Sequence, residues 1–318
     1  MRTIDLFCGA GLLGAGFANA GFKPVFAADL DEDAIETYNR NSRHNIAKVH
    51  SAEDIIAIKG DVIIAGPPCQ GFSSLGKRNK KDARNKLSLA LIDWAKKSDA
   101  KVVVVENVPQ FLKSDYWAKL VKEFSKMGFE NTHWVLDASE YGVAQKRVRS
   151  FTIFSKIGLP EKPKPSKRNM TVRDAFAGLS PKALRDGMHS SPPPSELALK
   201  RISKIPLKGS KVNLMMTHPE LCPESWFALG GQATDVWGRI DLDKASNTIR
   251  CAFQNPSKGR YLHPSENRVI TLREGARLQG VSDEWIFSGS RTSIAKQIGN
   301  GVPIPLAEAV AKSIKKLF

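Results

Sequence analysis

A cysteine, a glutamate and two arginines sit where a sheet protein would place reactive groups. Cys69 lies in the stretch DVIIAGPPCQGFS (residues 61–73). There an uncharged run, Val62-Ile63-Ile64-Ala65, breaks at Gly66-Pro67-Pro68, and two prolines stiffen the loop that presents the thiol. A buried strand delivering a nucleophile at its carboxyl end is how open α/β sheets place reactive groups. A lone cysteine in a turn is more often structural, so its company decides. Glu106 ends a second uninterrupted run, VVVV (residues 102–105), and Arg147 and Arg149 alternate in QKRVR just before another strand-like stretch. Near the N-terminus, RTIDLF runs into the glycine turn of Gly9 and Gly11, which lets a backbone approach a ligand and aims helix N–H groups at it. Asp29 follows at the end of the next strand, about twenty residues on, where a ribose would find an acidic partner.

The elements that must hold these residues are legible in outline. Strands are expected at residues 2–7, 24–28, 61–65, 101–105, 132–136 and 150–154. Helices are expected at 33–41, 87–97, 117–127 and 306–317. Alternation at this pace predicts a parallel, doubly wound sheet covered on both faces, with ligand sites at the carboxyl ends of its strands. From about residue 162 the character changes. KPKPSKR, SPPPS and KIPLKGSK are rich in proline, serine and lysine, and periodicity stays poor to about residue 234, which reads as a second, irregular domain. Regularity returns at residues 268–279.

Composition narrows the function classes. The 318 residues suffice for one large domain and a smaller one, and 42% hydrophobic with 25% charged residues describes an ordinary soluble globular protein. No run of 18 apolar residues is present to span a membrane, and MRTIDLFCGAG lacks the shape of a signal peptide. Cys8, Cys69, Cys222 and Cys251 are scattered without a C-x-x-C pair, so reduced thiols in a cytosolic protein are expected, not a disulfide frame or a metal site. The net charge of +16 favours a polyanionic partner. It is concentrated in residues 77–86 (KRNKKDARNK), with six basic residues and one acidic, and in residues 156–211, with thirteen against four.

Stretches in fixed order then carry a family resemblance. DLFCGAGLLGAGF (5–17), GPPCQGFS (66–73), ENVP (106–109), YGVAQKRVRSF (141–151), RVITLREGARLQGVSD (268–283) and AKQIGNGVPIPLAEAV (295–310) resemble the motifs of DNA (cytosine-5) methyltransferases of the bacterial restriction–modification type. The likeness covers almost the whole chain. It departs at Leu12, where the family usually has glycine, and at Ala144, where it usually has proline. It implies a Rossmann-like α/β S-adenosylmethionine-dependent methyltransferase sheet with a second, smaller target-recognition domain. Residues 1–184 would form the catalytic domain, completed by 285–318, and residues 185–284 the recognition domain.

The resemblance also implies roles. Cys69 would add to C6 of a cytosine flipped out of a specific duplex DNA sequence, so that C5 can accept a methyl group. Glu106 would donate to N3, with burial keeping its carboxyl partly protonated. Arg149 would hold O2 with Arg147 supporting, and both would favour the thiolate. S-adenosylmethionine would lie on Phe7, Gly9 and Gly11, with Asp29 on the ribose and Leu30 against the adenine. Asp54 (or Glu53, by a one-residue shift), Pro68, Leu87, Asn300 and Val302 would complete the site, with no metal. The last helix would pack back beside the first strand. Ser73, Lys77, Arg78 and Arg84 would contact DNA from a loop closing over the flipped base, while Arg201, Lys204, Gln232, Arg239 and Asn213 would be candidates for reading the sequence. The expected setting is a cytoplasmic monomer acting on double-stranded DNA, beside a cognate restriction endonuclease. The rivals are an RNA-modifying branch of the family, whose short altered insert after the arginine motif is absent here, and a DNA-binding module without catalysis, against which intact Cys69, Glu106 and Arg149 argue.

Overall fold

A computed structural model of the chain describes residues 1–68, 83–179, 187–228 and 232–318, without the side chains of 83–85. Its strands are β1 (Arg2–Leu6), β2 (Lys23–Asp29), β3 (Ala47–Val49), β4 (Val62–Ala65), β5 (Val102–Asn107), β6 (Glu130–Asp137) and β7 (Val148–Ser155), in one sheet ordered β3-β2-β1-β4-β5-β7-β6. The pairs from β3 to β5 are parallel, whereas β7 runs antiparallel to both β5 and β6. The expectation of a wholly parallel sheet is therefore corrected at β7. Only residues 138–147 lie between β6 and β7, among them the short turn Ala138–Tyr141, and a parallel return needs a crossover of about a dozen residues or more.

The uninterrupted apolar runs are central strands buried on both faces. On one face Val62, Ile64, Val102 and Val104 pack with Leu13, Phe17 and the C-terminal helix Ile304–Lys315. On the other, Ile63, Val103 and Val105 pack with Leu91, Trp94, Leu120 and Phe124. Each such side chain taken from water contributes about 1.5–3 kcal/mol. Helix Glu32–Asn41 is started by Asp31, whose carboxylate accepts the Ala34 N–H, and Asp115–Lys126 by Ser114, which accepts the Trp117 N–H. The C-terminal helix packs on helix Leu12–Asn19, one element beyond the expected first strand. A Cβ on Gly16 would run into Ala307, so only glycine permits the approach.

The stretch from about 162 to 234, expected to be irregular, contains among its described residues short helices that include Glu196–Lys204, Lys211–Thr217 and Glu224–Ala228. They share a small core of Ile202, Ile205, Leu214, Trp226, Trp237 and Leu262. A separate cluster ties Leu12 and Ala144 to Ile249, Leu272, Leu278 and Ile298. Among the described residues no helix is long and apolar enough to cross a membrane.

Candidate active site

The sheet brings the expected chemical groups to the carboxyl ends of β1, β2, β4 and β5. Asp29 closes β2, with Oδ2 accepting the Gly9 N–H at 2.9 Å and Oδ1 accepting the Asp31 N–H at 3.0 Å. Phe7, Gly9 and Gly11 all adopt positive φ (56°, 49° and 86°), so the turn curls around an open hollow, and a Cβ on Gly9 would meet nothing within 4 Å. Gly11 has no such freedom, because a Cβ there would lie 2.7 Å from the Tyr38 ring. Leu30 is 67% exposed beside this hollow, an apolar face left for a flat ligand to cover. Beneath the turn Asp5 is 1% exposed, and neither carboxyl oxygen has a hydrogen-bond partner among the described residues. Burial, reinforced by the Asp29 charge, raises its pKa well above the carboxylate range. These features fit an adenosyl ligand. Among the described residues no cluster of three or more His, Cys, Asp or Glu is placed to hold a metal.

The second half of the site follows from the reversal of β7. Antiparallel pairing sets Glu106 opposite Phe151 and Asn107 opposite Ser150, so the start of β7 lies at the carboxyl end of β5. Arg149 Nε thereby meets Glu106 Oε1 at 3.0 Å, with their side chains only 16% and 11% exposed. Burial pushes the Glu106 carboxyl up, and the charges of Arg149 and Arg147 offset this only in part. Asn107 Nδ2 donates to the Pro67 carbonyl at 3.1 Å, and a Cβ on Gly66 would approach Glu106 Oε2 at 3.4 Å. The exit of β4 is thus fastened beside the glutamate. Pro68 is half-buried there, but Cys69, Ser73, Lys77 and Arg78 lie outside the described residues, as does the Arg84 side chain.

Arg147 is brought to the same strand but not to the same surface. It is 1% exposed, and its guanidinium donates to the carbonyls of Ile249 (3.1 Å) and Gly299 (2.9 Å). Gln145, two residues earlier, accepts the Ile249 N–H and donates to Gln279 Oε1 at 2.9 Å; Gln279 in turn donates to the Ile298 and Gly301 carbonyls. Both glutamines are fully buried and escaped the sequence reading, although each lies inside a quoted motif. They bind the arginine strand to the turn carrying Asn300 and Val302. Asn300 Oδ1 accepts from the Cys251 thiol at 2.9 Å, a contact no motif announced, and Val302 is buried in the core. Leu87 is half-buried, while Asp54 and Glu53 are exposed on the turn after β3.

The sequence pattern of C-5 cytosine-specific DNA methylases matches residues 1–316. The chain belongs to that family. Among curated relatives it is 32% identical to the Type II methyltransferase M.Eco47II of Escherichia coli, over 99% of this chain and 79% of the relative. It is 29% identical to the Type II methyltransferase M.DdeI of Desulfomicrobium norvegicum, over 100% and 89%. A solved E. coli structure described as a prophage-encoded DNA modification methyltransferase superposes with a TM-score of 0.73 at 25% identity, covering 100% of this chain and 99% of that one. The family is that of S-adenosylmethionine-dependent enzymes that methylate cytosine in DNA, of the restriction–modification kind.

For a DNA methylase, the expected DNA-reading residues divide sharply. Arg239 is corrected: it is 3% exposed, and its guanidinium donates to the carbonyls of Ile202, Ile205, His263 and Glu266 and to Asn267 Oδ1. Every N–H of the fork faces inward, so none is left for a base. Arg201 is half-buried, donating to the Leu221 carbonyl and lying 5.4 Å from the Trp226 ring and 5.7 Å from the Trp237 ring. Asn213 serves as a helix cap, its Oδ1 accepting the Ser210 N–H at 3.0 Å. Lys204 and Gln232 remain exposed.

Proposed function

We propose that the enzyme transfers the methyl group of S-adenosylmethionine to C5 of a cytosine flipped out of a specific duplex sequence, through a covalent Cys69–C6 adduct. The observation that carries this reading is the buried Glu106–Arg149 pair at the exit of β4, 3.0 Å apart, one residue type to give a proton and one to hold an oxyanion. The bound donor supplies an electrophilic methyl on a sulfonium. Phe7, Gly9, Gly11, Asp29, Leu30, Asp54, Pro68, Leu87, Asn300 and Val302 hold it, the glycine turn and Asp29 taking the ribose end. The Cys69 thiolate bonds to C6, the C5–C6 π electrons become available at C5, and Glu106 donates its proton toward N3 while Arg149 holds O2. Methylation of C5 would break the donor's S–CH3 bond and leave a neutral thioether; the C5 proton then passes to solvent water, the Cys69–C6 bond breaks to restore the C5–C6 double bond and the thiolate, and N3 returns its proton to Glu106.

Flipping costs a few kcal/mol of stacking and pairing, offset by contacts from Ser73, Lys77, Arg78 and Arg84 and from Lys204 and Gln232 in the 185–284 recognition domain. The +16 charge supports phosphate contact of this kind. The relatives' Type II designation supports a cognate endonuclease working beside the enzyme, which we take to act as a cytoplasmic monomer.

The adduct is testable directly. A duplex carrying 5-fluorocytosine at the target should trap a denaturation-resistant complex with wild-type enzyme and none with Cys69→Ala, which still binds DNA. Wild-type turnover by Cys69→Ala would overturn the mechanism.

A further inference from the structure

Residues 232–235 are exposed beside the strip that flanks the base pocket. Ser246 bridges Gln145, Thr248 Oγ1 donates to the Lys146 carbonyl at 2.7 Å, and the Ile249 N–H donates to Gln145 Oε1 at 2.8 Å, so residues 246–249 run alongside the arginine motif. From that strip Asn247 Nδ2 donates to Asp235 Oδ2 at 3.0 Å.

No helix or strand holds the segment. Ala233 and Trp237 have φ of 51° and 55°, a left-handed backbone that residues with a Cβ adopt only when their surroundings impose it. Arg260 reaches the segment at Asp235. Its Nη1 donates to the carbonyls of Lys208 (2.9 Å), Gly209 (3.1 Å) and Arg239 (2.8 Å), while Nε and Nη2 each lie 3.4 Å from Asp235 Oδ1. The side chain crosses Gly238, where a Cβ would come 2.8 Å from Arg260 Cγ. At the other end Lys211, 1% exposed, donates from Nζ to the Gln232 carbonyl at 3.2 Å.

We propose that Arg260 is a positioning residue for sequence recognition: through Asp235 it locks residues 232–235 against the arginine strip, so that Gln232 and Thr234 meet the base pairs flanking the target cytosine. This rests on the functional reading above, in which the flipped base meets Glu106 and Arg149. A planar five-donor fork can serve three carbonyls and a carboxylate together, whereas a lysine ammonium with three donors cannot.

The recognition sequence is first read by mapping 5-methylcytosine in DNA treated with wild-type enzyme. Then kcat and KM are measured on the cognate duplex and on duplexes with one flanking base pair changed. At least one of Gln232→Ala and Thr234→Ala should lower discrimination at a flanking pair about ten- to hundredfold, the worth of a base-edge contact. Arg260→Lys should lower discrimination at that same pair by about tenfold or more, with kcat on the cognate duplex nearly unchanged and KM raised. Arg173→Ala, which breaks the exposed Arg173–Asp243 pair in the same region, should leave discrimination at the wild-type value. If Gln232→Ala and Thr234→Ala both discriminate as wild type, the segment does not read DNA, and that placement of recognition falls. If one of them loses discrimination while Arg260→Lys keeps it, the clamp falls and the reading stands. Should Arg260→Lys melt below the assay temperature, Asp235→Ala and Asn247→Ala decide together in its place: loss of discrimination in Asp235→Ala alone supports the clamp, and loss in both or in neither overturns it.

Discussion

The ends of the parallel strands and the region spanning residues 187–270 use charged side chains in opposite ways. At the strand ends, backbone groups hold the side chains: the Gly9 and Asp31 amides hold the Asp29 carboxylate, and the antiparallel ladder sets Glu106 beside Arg149. In the second region, side chains hold the backbone. Arg239 and Arg260 reach across loops to gather carbonyls that no sheet satisfies, beside a small apolar core that includes Ile202, Ile205 and Trp237. A region poor in regular structure still has to pair its buried carbonyls, and arginine, with five donors on one plane, does so economically. Arg149 in the first region, held against Glu106, is therefore a candidate for chemistry, whereas Arg147 beside it and the arginines of the second region have carbonyls to hold.

Paired substitutions test that contrast. Glu106→Gln should slow methyl transfer by about two to four orders of magnitude, as expected for a placed general acid, in single-turnover assays. Its pKa is raised by burial and the protonated form is the active one, so wild-type kcat/KM should fall as pH rises through that raised value. The Gln variant should lose this alkaline limb. A loss of less than tenfold would move N3 protonation elsewhere. Arg239→Met should act on stability instead, leaving several buried acceptors without donors at about 1–3 kcal/mol each. Denaturant unfolding should show a loss of several kcal/mol, and a stably folded Arg239→Met with altered sequence preference would return Arg239 to the DNA face. The smallest effect belongs to exposed Lys204. Lys204→Ala should weaken binding to all duplexes alike and reduce the slope of log K against log salt by about one.

Much of the catalytic half was legible because its signals are strong and local. The runs at 62–65 and 102–105 could only be buried strands, and the glycine turn and Asp29 fell where their spacing put them. The three-residue strand Ala47–Val49 was missed because it is too short to show a period. The 87–97 helix begins as a 3-10 turn, Ala83–Leu89, before its α-helical part, Ala90–Ser98. The reversal of β7 depended on the length of a connection, which periodicity does not measure. In residues 196–228 short helices lay hidden among prolines and lysines, each turn stabilised by the Trp226–Trp237 core and not by its own pattern. Arg239 was misread for a simpler reason. Nothing in an arginine's identity says whether a carbonyl or a guanine awaits it.

The two-residue beat of the arginine motif has a consequence for how such genes can change. Gln145 and Arg147 are buried and Arg149 is nearly so, while Lys146 and Val148 face outward, because the segment enters an extended strand whose side chains alternate. Inserting one codon just ahead of Val148 would put Val148 in the place of Arg149 beside Glu106, and deleting one would move Arg149 to the exposed place of Val148. Length variation just ahead of Val148 thus disturbs the Glu106–Arg149 pair, whereas the loops between the short helices of residues 196–228 belong to no strand and have no sheet register to shift. On the proposed reading, divergence in which DNA sequence is marked can proceed there by insertion, while the marking chemistry is kept in frame by the pleat of a single strand.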